Sequence, residues 1–150
     1  MKKGQIIEGV VKKTTFPNKG RIEAEGKTVT VKNGIPGQRL RCQITKIRGG
    51  KAEARVLEVL ERSSVECEPF CKHFTECGGC VWQTLSYEEQ LRLKAGQVKE
   101  LLDDAVQAYE YEYVFEAIKG SPRKYEYRNK MEFSFGDAYK DGPLALGMHK

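Results

Sequence analysis

Residues 39–60 read RLRCQITKIRGGKAEARVLEVL. Leu40, Cys42 and Ile44 alternate with Arg39, Arg41, Gln43 and Thr45, the period of two that a half-buried strand requires. Gly49-Gly50 supplies a reversal, after which Ala52, Ala54, Val56 and Val59 carry the apolar face of a returning strand. Working outward, three more short strands fit the chain upstream: Gln5 to Val11, Gly20 to Ala24 and Lys27 to Val31. Glu25-Gly26 and Pro36-Gly37 mark the turns between them. Five short strands with no helix between them imply a closed or nearly closed barrel, because closure removes the edges that would otherwise pair with other chains. Cys42 is expected in the core, where a free cysteine behaves as a small hydrophobe.

Composition agrees with a folded chain. Of 150 residues, 39% are hydrophobic and 31% charged, too apolar and too mixed in sign for disorder. No run of 18 apolar residues occurs, and the basic start MKKGQIIEGVVKK has no hydrophobic stretch of signal-peptide length. A cytoplasmic monomer that does not enter the membrane is expected. The net charge of +5 divides unevenly, since residues 1–62 hold 15 Lys and Arg against 6 Asp and Glu, a local excess of +9. Two regions, 1–62 and 63–150, are therefore expected. The first has the electrostatic character of a nucleic-acid binder, because neutralising phosphates releases condensed counterions.

Lys12, Lys13, Lys19 and Arg21 flank the first long loop, which carries Phe16, and Arg39, Arg41, Lys46 and Arg48 line one strand. Cations beside an exposed aromatic suit single-stranded RNA, with phosphates on the cations and a base on the ring. Phe16 serves equally well as a plug for the barrel end. Gly4 to Val11, Gly20, the Ile35-Pro36-Gly37-Gln38 turn and the strand from Arg39 to Ile47 give this region a resemblance to the TRAM domain, an OB-like RNA-binding barrel of RNA-modifying enzymes.

Four of the five cysteines, Cys67, Cys71, Cys77 and Cys80, fall in the 14-residue stretch CEPFCKHFTECGGC. In a reducing compartment, clustered thiols point to metal and away from disulfides. Four cysteine sulfurs satisfy a structural zinc or an iron–sulfur cluster equally well. Gly78 and Gly79 allow a tight turn whose N–H groups face sulfur, and Phe70, Phe74 and Trp82 are expected to form an apolar shell. His73 reads as an exposed side chain beside Lys72, with zinc ligation as the other possibility.

The order Cys71, five residues, Cys77-Gly78-Gly79-Cys80, then Gln83, Tyr87, Gln90 and Lys94, resembles the iron–sulfur signature of the RNA uridine-5-methyltransferases. These enzymes use S-adenosylmethionine to methylate C5 of uridine in ribosomal RNA, and relatives act on transfer RNA. The resemblance implies that Cys71, Cys77 and Cys80 are ligands of a 4Fe-4S cluster. It places the fourth ligand on a later cysteine, with Cys67 as the other candidate. It further implies a Rossmann-like catalytic domain that binds S-adenosylmethionine. No glycine-rich nucleotide loop follows a strand in these 150 residues, so no catalytic or methyl-donor residue is assigned.

After the cysteines, Ser86 and Glu89 form a capping box, and Leu91, Ala95, Val98, Leu102 and Ala105 recur at helical spacing. This predicts a helix from Tyr87 to Val106 with that stripe packed in the core and the helix covering the cluster. Further strands are expected at Glu112 to Ile118, Tyr125 to Phe135 and Leu144 to His149, the last running on towards Lys150 as though cut short. Tyr127-Arg128-Asn129 resembles a recurrent family motif. Arg123, Lys124, Arg128 and Lys130 are candidate phosphate contacts and Tyr125 or Tyr127 a stacking platform. For Arg128 and Asn129, tying neighbouring strands together is an equal possibility. The fold class expected is α+β: a five-stranded OB-like barrel, then an incomplete α/β cluster-binding domain with one long helix and antiparallel strands. The function expected is RNA recruitment for a uridine-5-methyltransferase. A free-standing RNA-binding module with a four-cysteine zinc is the alternative, and electron transfer has little support.

Overall fold

A computed structural model describes residues 1–109 and 112–148. Five strands, β1 (Ile6–Thr15), β2 (Lys19–Ala24), β3 (Lys27–Lys32), β4 (Arg39–Arg48) and β5 (Lys51–Glu61), close into a barrel in the order β1-β2-β3-β5-β4. Neighbours are antiparallel except β3 and β5, which pair in parallel through Val29–Val31 and Ala52–Ala54. The five predicted strands are all present, each one to three residues longer than the periodicity marks.

Alternation sorts the side chains as expected on β4, where Leu40, Cys42 and Ile44 are buried against Ile22, Val29 and Val31. It fails on the far half of β5. Ala52 and Ala54 are buried, but Val56 and Val59 are open to solvent. The reason lies in strand length. β3 engages β5 only as far as Ala54, so the remainder of β5 runs beyond the barrel wall, paired with β4 alone across register shifts. At Gly9 the chain needs the absence of a side chain, because a Cβ there would stand 2.3 Å from Ile22 Cγ2.

Burial pushes the Cys42 thiol up to about 11. Its proton is therefore retained in the fold through the range where an unfolded thiol ionises, so this group's contribution to stability declines as pH climbs from about 8.5 towards 11. Thiol labelling at pH 8 is expected to modify four cysteines in the native chain, with Cys42 reacting only after denaturant is added. Labelling of Cys42 in the native state at the rate of the other four would contradict its placement.

The turn Ile35-Pro36-Gly37-Gln38 joins the barrel to the cysteine-bearing region. Ile35 packs with Trp82 and Leu85 in a second small core. Ser63 Oγ donates to the Pro36 carbonyl at 2.6 Å, and Gln38 Nε2 donates to Glu66 Oε1 at 3.0 Å. Glu66 in turn bridges to Leu85.

Helix α1 (Tyr87–Val106) has the predicted bounds, followed by one 3-10 turn, Gln107–Tyr109. Ser86 Oγ accepts from the Glu89 N–H at 3.2 Å, which satisfies one free N-terminal donor. The Glu89 carboxylate turns away to Arg92 instead of closing the box. The apolar stripe departs from expectation: Val98, Leu102 and Ala105 are exposed, and Gln97 is the buried residue of the helix. The barrel joint and residues 120–124 cover the N-terminal half of α1, whereas the contacts on its last turns are polar ones that leave the apolar stripe open: Lys13 reaches Glu100, and Tyr113 donates to Asp103 with Lys99 over its ring.

The strand expected at Glu112 to Ile118 is absent among the described residues, and of the one expected at Tyr125 to Phe135 only Ser134 and Phe135 are in a strand. A two-stranded sheet of β6 (Ser134–Asp137) and β7 (Leu144–Gly147) forms instead. Alternation at Met131, Phe133 and Phe135 specifies faces, yet a strand also needs a neighbour for its backbone groups, and only Ser134–Asp137 has one here. His149 and Lys150, at the end of the last predicted strand, lie outside the described residues. No helix among the described residues is long and apolar enough to cross a membrane.

Candidate metal centre and nucleic-acid interface

The cysteine loop is wound by its own backbone. The N–H groups of Glu76 and Cys77 both donate to the His73 carbonyl, and Phe74 N–H donates to the Cys71 carbonyl. His73 thus shapes the loop through its carbonyl while its side chain is exposed. Gln83 clamps the loop from both ends: its Oε1 accepts from Cys71 N–H at 2.9 Å, and its Nε2 donates to Cys80 Sγ at 3.4 Å. Gly79 N–H donates to Cys77 Sγ at 3.4 Å. Gln90, on the first turn of α1, donates to the carbonyls of Trp82 and Leu85 and fixes the exit of the loop.

Cys71, Cys77 and Cys80 line one cavity of about 580 Å³. Cys67 is not part of it; its N–H is bonded to the Thr84 carbonyl at 2.6 Å beside the Glu66–Leu85 bridge. Among the described residues no three His, Cys, Asp or Glu side chains converge closely enough to hold one metal ion. Trp82 lines the cavity and is buried, with an indole N–H that has no partner among the described residues. Phe70 also lines it, but on its open rim: it is 76% exposed, with its ring 4.7 Å from that of Tyr125. The apolar shell expected of Phe70, Phe74 and Trp82 is therefore closed on the Trp82 side only.

Three cations share this cavity: Lys94 from α1, and Lys124 and Arg128 from the segment that faces the loop. Lys124 is anchored to Glu88 at 2.8 Å and lies 5.3 Å from the centre of the Tyr87 ring, while Tyr87 Oη accepts from Ser121 N–H. The Lys124 ammonium holds the Glu88 carboxyl below its usual range. Tyr125, Tyr127 and Met131 complete the far wall, and Asn18 from the loop between β1 and β2 reaches the same space. The sequence pattern marked Gln83 and Gln90 only as parts of a signature; the hydrogen bonds give them their work.

No protein-family model matches the chain. Among curated proteins, an uncharacterized RNA methyltransferase of Caldanaerobacter subterraneus subsp. tengcongensis is 42% identical over the whole chain. Others from Clostridium tetani and Clostridium acetobutylicum are 43% and 41% identical over 99% of it. Over its length the chain is similar to these RNA methyltransferases. It spans about a third of their length, 32% in each of the three.

The predicted cationic residues fall into distinct settings. Arg39 is bonded to Glu61 and Glu8, and Arg41 to Glu58 and Glu8, so both strand arginines are committed to acids on neighbouring strands. The Glu61 hydrogen bond raises the Arg39 guanidinium above its ordinary value. Lys13 reaches Glu100 on α1 at 2.7 Å and ties helix to barrel. Arg21 donates to Thr30 Oγ1, a neutral partner. Lys12 sits at the register shift of β1 and is exposed, as are Lys19 and, at 57%, Phe16. That exposure removes Phe16 from the barrel interior. Lys130 pairs with Glu132, Arg123 is exposed beside Ser121, and Arg128 lies 3.9 Å from Met131 Sδ. Asn129 makes no strand-to-strand tie among the described residues, since no strand forms there.

Proposed function

We propose that this chain is the RNA-recruiting, cluster-bearing part of an S-adenosylmethionine-dependent methyltransferase that modifies C5 of uridine in ribosomal RNA. The observation that carries this reading is the cavity that three of the four clustered thiols line together with three cations, Glu126 and two tyrosines. The donor set fits a 4Fe-4S cluster. Cys71, Cys77 and Cys80 would hold it, with N–H donors from Gly79 and Gln83 directed at two of the sulfurs, contacts of the kind that orient the ligands and tune a cluster's potential. Lys94 and Arg128, which have no acidic partner among the described residues, offset the negative charge that thiolate ligation brings, while Lys124 is held by Glu88. When bound, the cluster would fix the loop's shape. The fourth ligand comes from the longer polypeptide, not from Cys67, which stands outside the cavity. Residues 1–62 act as the TRAM-type barrel and the remainder as the cluster domain. S-adenosylmethionine and the bond-making residues belong to the part of the protein beyond this third. The chain works as a cytoplasmic monomer.

RNA binding provides an independent test. An exposed Phe16 is expected to stack on a base, so Phe16→Ala should weaken single-stranded RNA binding by about 1–3 kcal/mol, roughly five- to 150-fold, read by fluorescence anisotropy. An unchanged affinity would remove Phe16 from the interface.

A further inference from the structure

Resting on the RNA-binding reading, we infer that single-stranded RNA crosses the barrel on its β2–β3–β5 face, with phosphates on Lys19, Lys32 and Arg55. Antiparallel pairing sets Lys19 directly opposite Lys32. Like charges in that position destabilise a sheet, and neither lysine has an acidic partner among the described residues. The two lysines line a groove of about 510 Å³ together with Thr30, Thr45, Glu53 and Arg55. Arg55 spends its donors on the neutral Gln43 Oε1, at 2.8 and 3.1 Å, and keeps its charge uncompensated.

Charge counting separates this face from the obvious one. The groove sets three cations against one carboxylate, Glu53. The Arg39 and Arg41 patch sets two cations against Glu8, Glu58 and Glu61. A phosphate approaching the second patch must displace an existing ion pair, whereas one approaching the groove relieves repulsion between Lys19 and Lys32. The groove also leads somewhere. Lys19 lines it, the adjacent Asn18 lines the thiol cavity, and the exposed Phe16 stands in the same turn. A strand lying on the groove is thereby directed past a stacking ring to the cavity.

The test is the salt dependence of binding to a fluorescein-labelled single-stranded 20-nucleotide RNA, with a duplex of the same length as comparison. Lys32→Gln and Arg55→Gln are each expected to weaken binding and to lower the log-log salt slope by about 1, while Arg55→Lys keeps the slope and Arg41→Gln leaves it unchanged. Superimposable thermal melts of all variants exclude misfolding. Wild-type binding with slopes unaltered in Lys32→Gln and Arg55→Gln, or tighter binding to the duplex, overturns the groove assignment and leaves the RNA reading intact. No salt-dependent binding by the unaltered chain overturns both.

Discussion

Ile22→Ala is expected to lower barrel stability by about 2–5 kcal/mol, read as a fall in the urea midpoint at unchanged slope. Ile22 is fully buried at the centre of the core, with Val29, Val31, Leu40 and Ile44 around it. Against the roughly 5–15 kcal/mol that holds a small domain together, the loss is large. Gly9 makes the test sharper. Its missing Cβ lets Ile22 Cγ2 occupy the space above β1, so Gly9→Ala alone forces overpacking that costs about 1–3 kcal/mol. In the double variant the two changes relieve each other, and the combined loss should fall short of the sum. Strict additivity would show that Gly9 and Ile22 do not share that space.

The second large effect concerns the thiols. Alanine at Cys71, Cys77 or Cys80 is expected to abolish retention of iron after anaerobic reconstitution, whereas Cys67→Ala keeps iron and sulfide at the wild-type level. The distinction comes from the cavity, which three sulfurs share and Cys67 does not. A zinc held by all four cysteines predicts the opposite for Cys67, since a closed tetrahedral site has no spare ligand. Gln83→Ala offers a graded version: it removes the clamp between Cys71 and Cys80 while leaving every thiol in place, so iron should bind but be lost faster to a chelator.

Much of this was legible in residue order. Alternation on Leu40, Cys42 and Ile44, with glycine pairs and Pro-Gly at the reversals, is a local signal, and local signals predicted all five barrel strands and the bounds of α1. The misreadings share one cause. Val98 and Leu102 repeat at helical spacing, and Met131, Phe133 and Phe135 alternate, but such patterns state which face is apolar and not what covers it. Val56 and Val59 fail for a related reason, since the length of β3, far away in sequence, decides how much of β5 is inside the barrel. At the site, spacing grouped four cysteines without separating Cys67 from the rest. That separation depends on a backbone bond to Thr84, 17 residues downstream. Likewise the Arg39 and Arg41 charges looked available until strand pairing brought Glu8 and Glu58 beside them.

The most direct test is iron and acid-labile sulfide per chain after anaerobic reconstitution, with dithiothreitol present to complete the coordination. About four irons and four sulfides with broad visible absorbance are predicted, whereas one zinc in a colourless protein would contradict the account.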